Sequence, residues 1–372
     1  MRVGIDYLPA VTHAPGVGRY ARELVRALVA RDDAPELALW EVGGGARRLP
    51  EAALGLGRGR ARRLRLRLPR RLVRPLLRGP CRVERLLGGI DLFHHIHAGW
   101  PPVSSVPRVL AIAELPPRGT RAEAELASHA QGLAAIAVFC EHYRARVAVS
   151  LAVAPERIHA LPVGCDHWLR DLNGMRLPRA EPARVLVLGA LRPARAPLLA
   201  LAGFERLLAR GVRAELVFAG LPSSATADFE LALARSGARA AVRWIAAPRE
   251  SEMPALVASS TVLLHLAEEE GSPVTALEAC AAGLAVVASP LPAFHEVLGE
   301  NALWFPPGAS AQELGRLLEA ALVDARDPGR CHARVELALP YTWDRNAART
   351  VALWKTLCEK PGAAPSALLQ DA

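Results

Sequence analysis

Glu268-Glu269-Glu270-Gly271-Ser272-Pro273-Val274-Thr275-Ala276-Leu277-Glu278-Ala279-Cys280-Ala281-Ala282-Gly283 is the most informative stretch of the 372-residue chain. Ser272 is a favoured N-cap and Pro273 a favoured first helical residue, so a helix is expected to begin here. Gly271 lets a ligand approach the backbone closely. The open N–H groups of residues 272 to 275 would form an anion site, suited to phosphate or to sugar hydroxyls. Glu270 stands just ahead of that helix. Glu278 lies about two turns along it with its Cβ tilted back, so both carboxylates can address one ligand. An acceptor-only carboxylate suits the paired hydroxyls of a ribose or a hexose. The plain alternative is an acidic helix start held by the helix dipole.

Working outward, short apolar runs alternate with longer helical patterns, the sequence form of βαβ units and a parallel sheet buried on both faces. The class is α/β. Strands are predicted at Arg2 to Asp6, Leu37 to Val42, Leu92 to His94, Val109 to Ile112, Ala134 to Phe139 and Ile158 to Pro162. In the second half they are predicted at Arg184 to Leu188, Glu215 to Ala219, Val242 to Trp244 and Val262 to Leu264. Residues 1–168 read as one domain, the polar 169–183 as a linker, 184–340 as a second domain and 341–372 as a final helix with a mobile tail. In such folds ligands sit beyond the carboxyl ends of the strands.

The formal net charge of +9 points to an anionic partner, but Lys355 and Lys360 are the only lysines in a chain rich in Ala, Leu, Pro and Arg. A compositional bias toward Arg therefore weakens each Arg as a sign of phosphate binding. The excess is concentrated from Arg47 to Arg85, where fourteen Arg face two acids, Glu51 and Glu84. Interleaved leucines make this segment either a cationic, apolar face for an anionic bilayer or a solvated insertion. Nucleic acid is not expected, because the run carries no stacking aromatics. Six scattered cysteines without a C-x-x-C pair fit a reducing compartment. Met1-Arg2-Val3-Gly4-Ile5-Asp6 lacks the apolar stretch of a signal peptide, and no run is long enough to span a membrane. The expectation is a cytoplasmic chain, peripheral on the inner face of the plasma membrane if the Arg-rich face binds lipid.

The Glu-x7-Glu spacing, with Glu-Gly-Ser-Pro, Leu-Glu-Ala and Gly283, closely resembles the signature of family 4 retaining glycosyltransferases. Gly16-Val17-Gly18-Arg19-Tyr20 is similar to that family's N-terminal glycine loop, and Asp91-Leu92-Phe93-His94 to its Asp-x-Phe-His strand. Pro155-Glu156-Arg157-Ile158-His159 running into Pro162-Val163-Gly164-Cys165-Asp166 resembles its domain junction. Gly189-Ala190-Leu191-Arg192-Pro193-Ala194-Arg195 resembles its first C-domain loop, and Tyr341-Thr342-Trp343-Asp344-Arg345 the start of its last helix. The resemblance covers nearly the whole chain. It implies a GT-B fold, two Rossmann-like domains facing across a cleft, with the C-terminal helix crossing back to the N-terminal domain.

By the same resemblance, Glu270 and Arg195 are the catalytic residues, with Arg195 standing where the family has a phosphate-binding Lys. Glu278, Gly271, Ser272, Pro273, Val274 and Gly189 would bind the donor, and Gly16, Val17, Gly18, His94 and Ala113 would line the acceptor and diphosphate side. The implied reaction moves a hexose-like sugar, with retention, from a nucleotide-diphosphate sugar to a glycan or lipid-linked glycan, with no metal or other cofactor. Three positions depart from the pattern. Ala113-Glu114 replaces the family's His-Asp, Ala190 a polar residue and Val163 an Asn, which keeps open a weakly active or inactive relative that binds glycan or acts as a scaffold. His94-His95-x-His97 is not read as a metal site, since neighbours on a strand point to opposite faces. Here His94 reads as a cleft residue, His95 as packing or surface, and His265 and Cys280 as core.

Overall fold

The computed structural model describes residues 1–12, 16–43, 48–57, 61–78, 81–168 and 179–359. The expected tail from Pro361 onward, and residues 169–178 of the expected linker, lie outside these.

The apolar runs form two fully parallel sheets. The first contains β1 (Arg2–Asp6), β2 (Glu36–Val42), β3 (Ala61–Leu66), β4 (Leu92–His95), β5 (Arg108–Ala111), β6 (Ala135–Val138) and β7 (Ile158–Ala160), in the order β3-β2-β1-β4-β5-β6-β7. The second contains β8 (Ala183–Leu188), β9 (Ala214–Ala219), β10 (Val242–Ile245), β11 (Val262–His265), β12 (Ala285–Ala288) and β13 (Leu303–Trp304), in the order β10-β9-β8-β11-β12-β13. Each sheet thus reverses its strand order once, beside its first strand. That switch point, β1/β4 in one sheet and β8/β11 in the other, is where ligands bind in doubly wound folds.

Burial on both faces explains the continuous apolar runs. In the second sheet Leu186, Val217, Leu263 and Val286 enter one core, while Val185, Leu216, Val262 and Ala285 enter the core on the opposite face. The chain divides into one unit of residues 1–164 and 342–372 and another of residues 165–341. Arg179 is no linker residue, because its guanidinium donates to the carbonyls of Ala258, Ser260 and Ala282 within the second unit. The helix Trp343–Glu359 belongs to the first unit and packs on the helix Val17–Ala30. Asn346 of that helix donates to the carbonyls of Leu161 and Pro162.

The Arg-rich segment differs from its sequence reading in one respect. Part of it is not an insertion but strand β3, paired along its length with β2. The fully buried Glu41 carboxylate draws in Arg48 at 3.2 Å and Arg63, and Arg63 also reaches Glu51. These arginines neutralise a buried acid, which an Arg count alone does not reveal. The following helix, Arg70–Arg78, buries Val73 and Leu77 but leaves Leu72 and Leu76 each 57% exposed.

Candidate functional site

In the second unit, two loops leave the switch point and meet. After β8 the chain turns at Gly189, whose φ of +117° is open to glycine and strained for other residues. A Cβ on Gly220, beyond β9, would collide with the Gly189 carbonyl, so both glycines are needed to hold this turn. Pro193–Arg195 then forms a single 3₁₀ turn, and Ala196 takes a left-handed conformation (φ +46°) ahead of the helix Pro197–Ala209. The loop after β11 is tied to this one by the Glu268 N–H, which donates to the Ala194 carbonyl at 3.1 Å.

This arrangement brings Arg195 and Glu270 together, with Arg195 Nη2 2.7 Å from Glu270 Oε2. His265, the last residue of β11, joins them. Its Nε2 lies 3.2 Å from the same carboxylate oxygen and also contacts Arg195 Nη1. Burial pushes the Glu270 carboxyl up, but the His265 contact and the Arg195 and Arg192 charges outweigh it and hold the group below the ordinary carboxylate range. Glu270 is therefore an ionised acceptor at neutral pH. Burial and the Arg195 charge push the His265 imidazole down against the pull of Glu270, so it stays neutral. The sequence reading of His265 as a core residue is corrected accordingly: it is buried, but its ring edge is part of the charged cluster.

The helix after Gly271 begins one residue later than predicted. Pro273 is its N-cap and Val274–Ala281 the helix, which has no side-chain capping bond from its N-cap residue. Gly271, Ser272 and Pro273 are buried and Val274 is half-buried. Pro273 carries no N–H, so the open amides nearest the cap are those of Val274 and Thr275. Glu278 lies within that helix. Its carboxylate is buried, with Oε1 3.1 Å from Nε2 of the equally buried His167. Nothing in the composition around His167 pointed to that pairing.

In the first unit, Gly16 has φ +69° and opens the helix Val17–Ala30, with Gly16 exposed, Val17 half-buried and Gly18 buried. Ala113 is half-buried, two residues beyond β5. His94 is not a cleft residue. It is fully buried, accepts at Nδ1 from Trp354 Nε1–H at 3.2 Å and faces the Tyr20 hydroxyl at 3.3 Å through Nε2. Burial pushes its pKa down to about 3, so it is a neutral clasp on the C-terminal helix. His95 is buried on the opposite face, with Nδ1 3.2 Å from the Trp100 carbonyl.

Residues 176–336 match the family described as Glycosyl transferases group 1. A curated relative, the MMP alpha-(1->4)-mannosyltransferase of Mycolicibacterium hassiacum, is 31% identical over 223 residues, covering 56% of this chain and 51% of its own length. The chain thus spans about half of that relative. Among solved structures, sucrose-phosphate synthase from Thermosynechococcus elongatus superposes with a TM-score of 0.72 at 15% identity, covering 96% of this chain and 99% of that one. The E. coli trehalose-6-phosphate structure bound with UDP-2-fluoro glucose gives 0.69 at 13% identity, covering 95% and 99%. At these identities the likeness is one of fold, and the fold is that of the GT-B glycosyltransferases.

Proposed function

We propose that this chain, whose residues 176–336 match the glycosyl transferases group 1 family, moves a hexose-like sugar from a nucleotide-diphosphate donor to a glycan or lipid-linked glycan, with retention of anomeric configuration. The observation that carries this reading is the ionised Glu270 held by Arg195 and His265 at the switch point of the second sheet. The mannosyltransferase relative and the nucleotide sugar in the E. coli structure support it.

In this reading Arg195 grips the diphosphate. Guanidinium has five donors, so it can serve a phosphate oxygen while keeping Glu270 in place. Glu270 accepts from the donor sugar's hydroxyls, the amides near Gly271 and Val274 face the sugar and phosphate, and Gly189 allows close approach. Glu278 takes the ribose hydroxyls, with His167 behind it. The acceptor oxygen bonds to the anomeric carbon on the face from which the diphosphate departs. The C–O electron pair leaves with the diphosphate, and a phosphate oxygen takes the acceptor's proton. Stabilising that leaving charge is the protein's main task, and Arg195 supplies it without a metal.

Thermal-shift and calorimetric titration with common nucleotide sugars tests the reading, since a ligand of the native state raises its melting point. One donor should bind, with EDTA present or absent, and Glu278→Ala should lose it. Folded protein that binds none of them would favour a non-catalytic relative, the reading to which the side chain missing at Ala113 also points.

Among the described residues no helix is long and apolar enough to cross a membrane. The exposed Leu68, Leu72 and Leu76 beside Arg67 and Arg74 fit peripheral binding to an anionic leaflet, which would bring a lipid-linked acceptor to the first unit. Such binding places the chain on the inner face of the plasma membrane. Neutralising Arg67 and Arg74 together with Leu72→Glu should cut binding to phosphatidylglycerol vesicles, read by flotation, about thirty-fold or more, at roughly 1 kcal/mol per arginine. Unchanged flotation would refute it.

A further inference from the structure

The carboxyl ends of the first sheet carry a second polar cluster, on the face opposite His94. β1 runs between β2 and β4, and the register sets Asp6 beside Trp40 and Ile5 beside His94, so Asp6 is flanked by Trp40 and His95. All three side chains are buried, and each keeps a polar atom without a partner: Asp6 Oδ1, Trp40 Nε1 and His95 Nε2. Unsatisfied buried groups are rare in folded proteins and call for an explanation. These three lie side by side at the β1/β4 switch point, where a doubly wound sheet receives ligands.

His97, just past β4, is the open side of this cluster. It is 42% exposed, and its Nδ1 lies 3.1 Å from Asp6 Oδ2. A carboxylate oxygen accepts, so with Nδ1–H donating to Asp6 Oδ2 the lone pair of Nε2 is left on the other edge of the ring. A partly exposed imidazole held in one tautomer by a buried carboxylate is the arrangement that presents an acceptor to a hydroxyl. The negative charge behind it disfavours phosphate or carboxylate ligands and favours a neutral, hydroxyl-bearing one.

We propose that Asp6 and His97 form a hydroxyl-binding dyad that receives the acceptor sugar on the first unit, with His97 Nε2 accepting from a hydroxyl beside the one to be glycosylated and Asp6 positioning the ring. The proposal rests on the glycosyltransferase reading for the identity of that sugar. Its geometry lies wholly within the first unit.

The test is ¹⁵N NMR of the histidine rings in the full chain, titrated with methyl α-D-mannopyranoside and methyl α-D-glucopyranoside, with a nucleotide sugar added last. His97 should show the Nδ1–H tautomer, and a glycoside should shift its Nε2 resonance. His97→Phe should weaken glycoside binding about ten-fold or more, a loss of one hydrogen bond to a polar ligand. His97→Gln, which keeps an acceptor, should restore most of it. Donor binding should be unchanged in both variants. Asp6→Asn should mix the tautomers. An Nε2–H tautomer, or no response of His97 to either glycoside, overturns the dyad whether or not the donor binds. Absence of donor binding with His97 still responding overturns the proposed activity instead and leaves the dyad as a sugar site. His97 is partly exposed, so its variants keep the question open to refutation even if Asp6→Asn fails to fold.

Discussion

Glu270→Gln should lower sugar transfer by about a hundred-fold or more while leaving the protein folded, the scale seen when one polar group aimed at a developing charge is removed. Glutamine has the same shape and keeps one acceptor for Arg195, so the loop after β11 stays tied to the loop after β8 through Glu268 and Ala194. What is lost is the charge. A neutral amide binds paired hydroxyls less well and no longer holds Arg195 in place. The variant should also respond differently to acid. The native Glu270 carboxyl titrates below its ordinary value of 4.5, so its contribution to stability is present above about pH 4.5 and is lost as pH falls through the native value. Glu270→Gln removes that part of the acid sensitivity. Steady-state transfer with the donor found by titration, together with melting curves between pH 7 and about pH 3, checks both effects. A variant with undiminished transfer would end the assignment of Glu270.

Trp354→Ala should destabilise the first unit more than any surface change. Trp354 is fully buried, and its Nε1–H is the donor to His94 Nδ1. Truncating a buried tryptophan costs about 3–5 kcal/mol. Leaving the buried His94 nitrogen without its donor adds about 1–3 kcal/mol. A native domain has only about 5–15 kcal/mol in total. Differential scanning calorimetry should therefore show an early transition for the first unit, with the second unit, which shares none of these contacts, melting later. Trp354→Phe, which keeps most of the volume but not the donor, should fall between. A single unaltered transition in Trp354→Ala would show that the C-terminal helix does not hold the first unit together.

The parts of the fold legible in the sequence were those in which physics acts locally. β1, β2 and β8 are runs of Val, Ile and Leu bounded by turn residues, and their predicted limits lie within a residue of those observed. β3 was missed because Ala61-Arg62-Arg63-Leu64-Arg65-Leu66 looks solvated; what buries Arg63 is Glu41, twenty-two residues earlier. β12 was missed because Ala285-Val286-Val287-Ala288 follows an alanine-rich helix without a sharp change in composition. The candidate site divides in the same way. Glu270 and Arg195 stood out by pattern, and the structure joins them. His265 looked apolar because it ends the run Val262-Leu263-Leu264, and only the path of two loops shows its ring meeting their charges. His94 failed as a cleft residue for the opposite reason: alternation along a strand tells which residues share a face but not that Trp354 covers this one.

The division of the chain into units bears on how the protein is made. The second unit is one continuous segment, whereas the first needs the helix Trp343–Glu359 to cover His94 and Tyr20. On the ribosome, at about 5–20 residues per second, the 260 residues between His94 and Trp354 take on the order of tens of seconds to add. During that interval the second unit can fold while the earlier sheet waits with an apolar face uncovered. The order of folding would then invert the order of synthesis, and the nascent first unit, more than the second, would be the natural client of a chaperone.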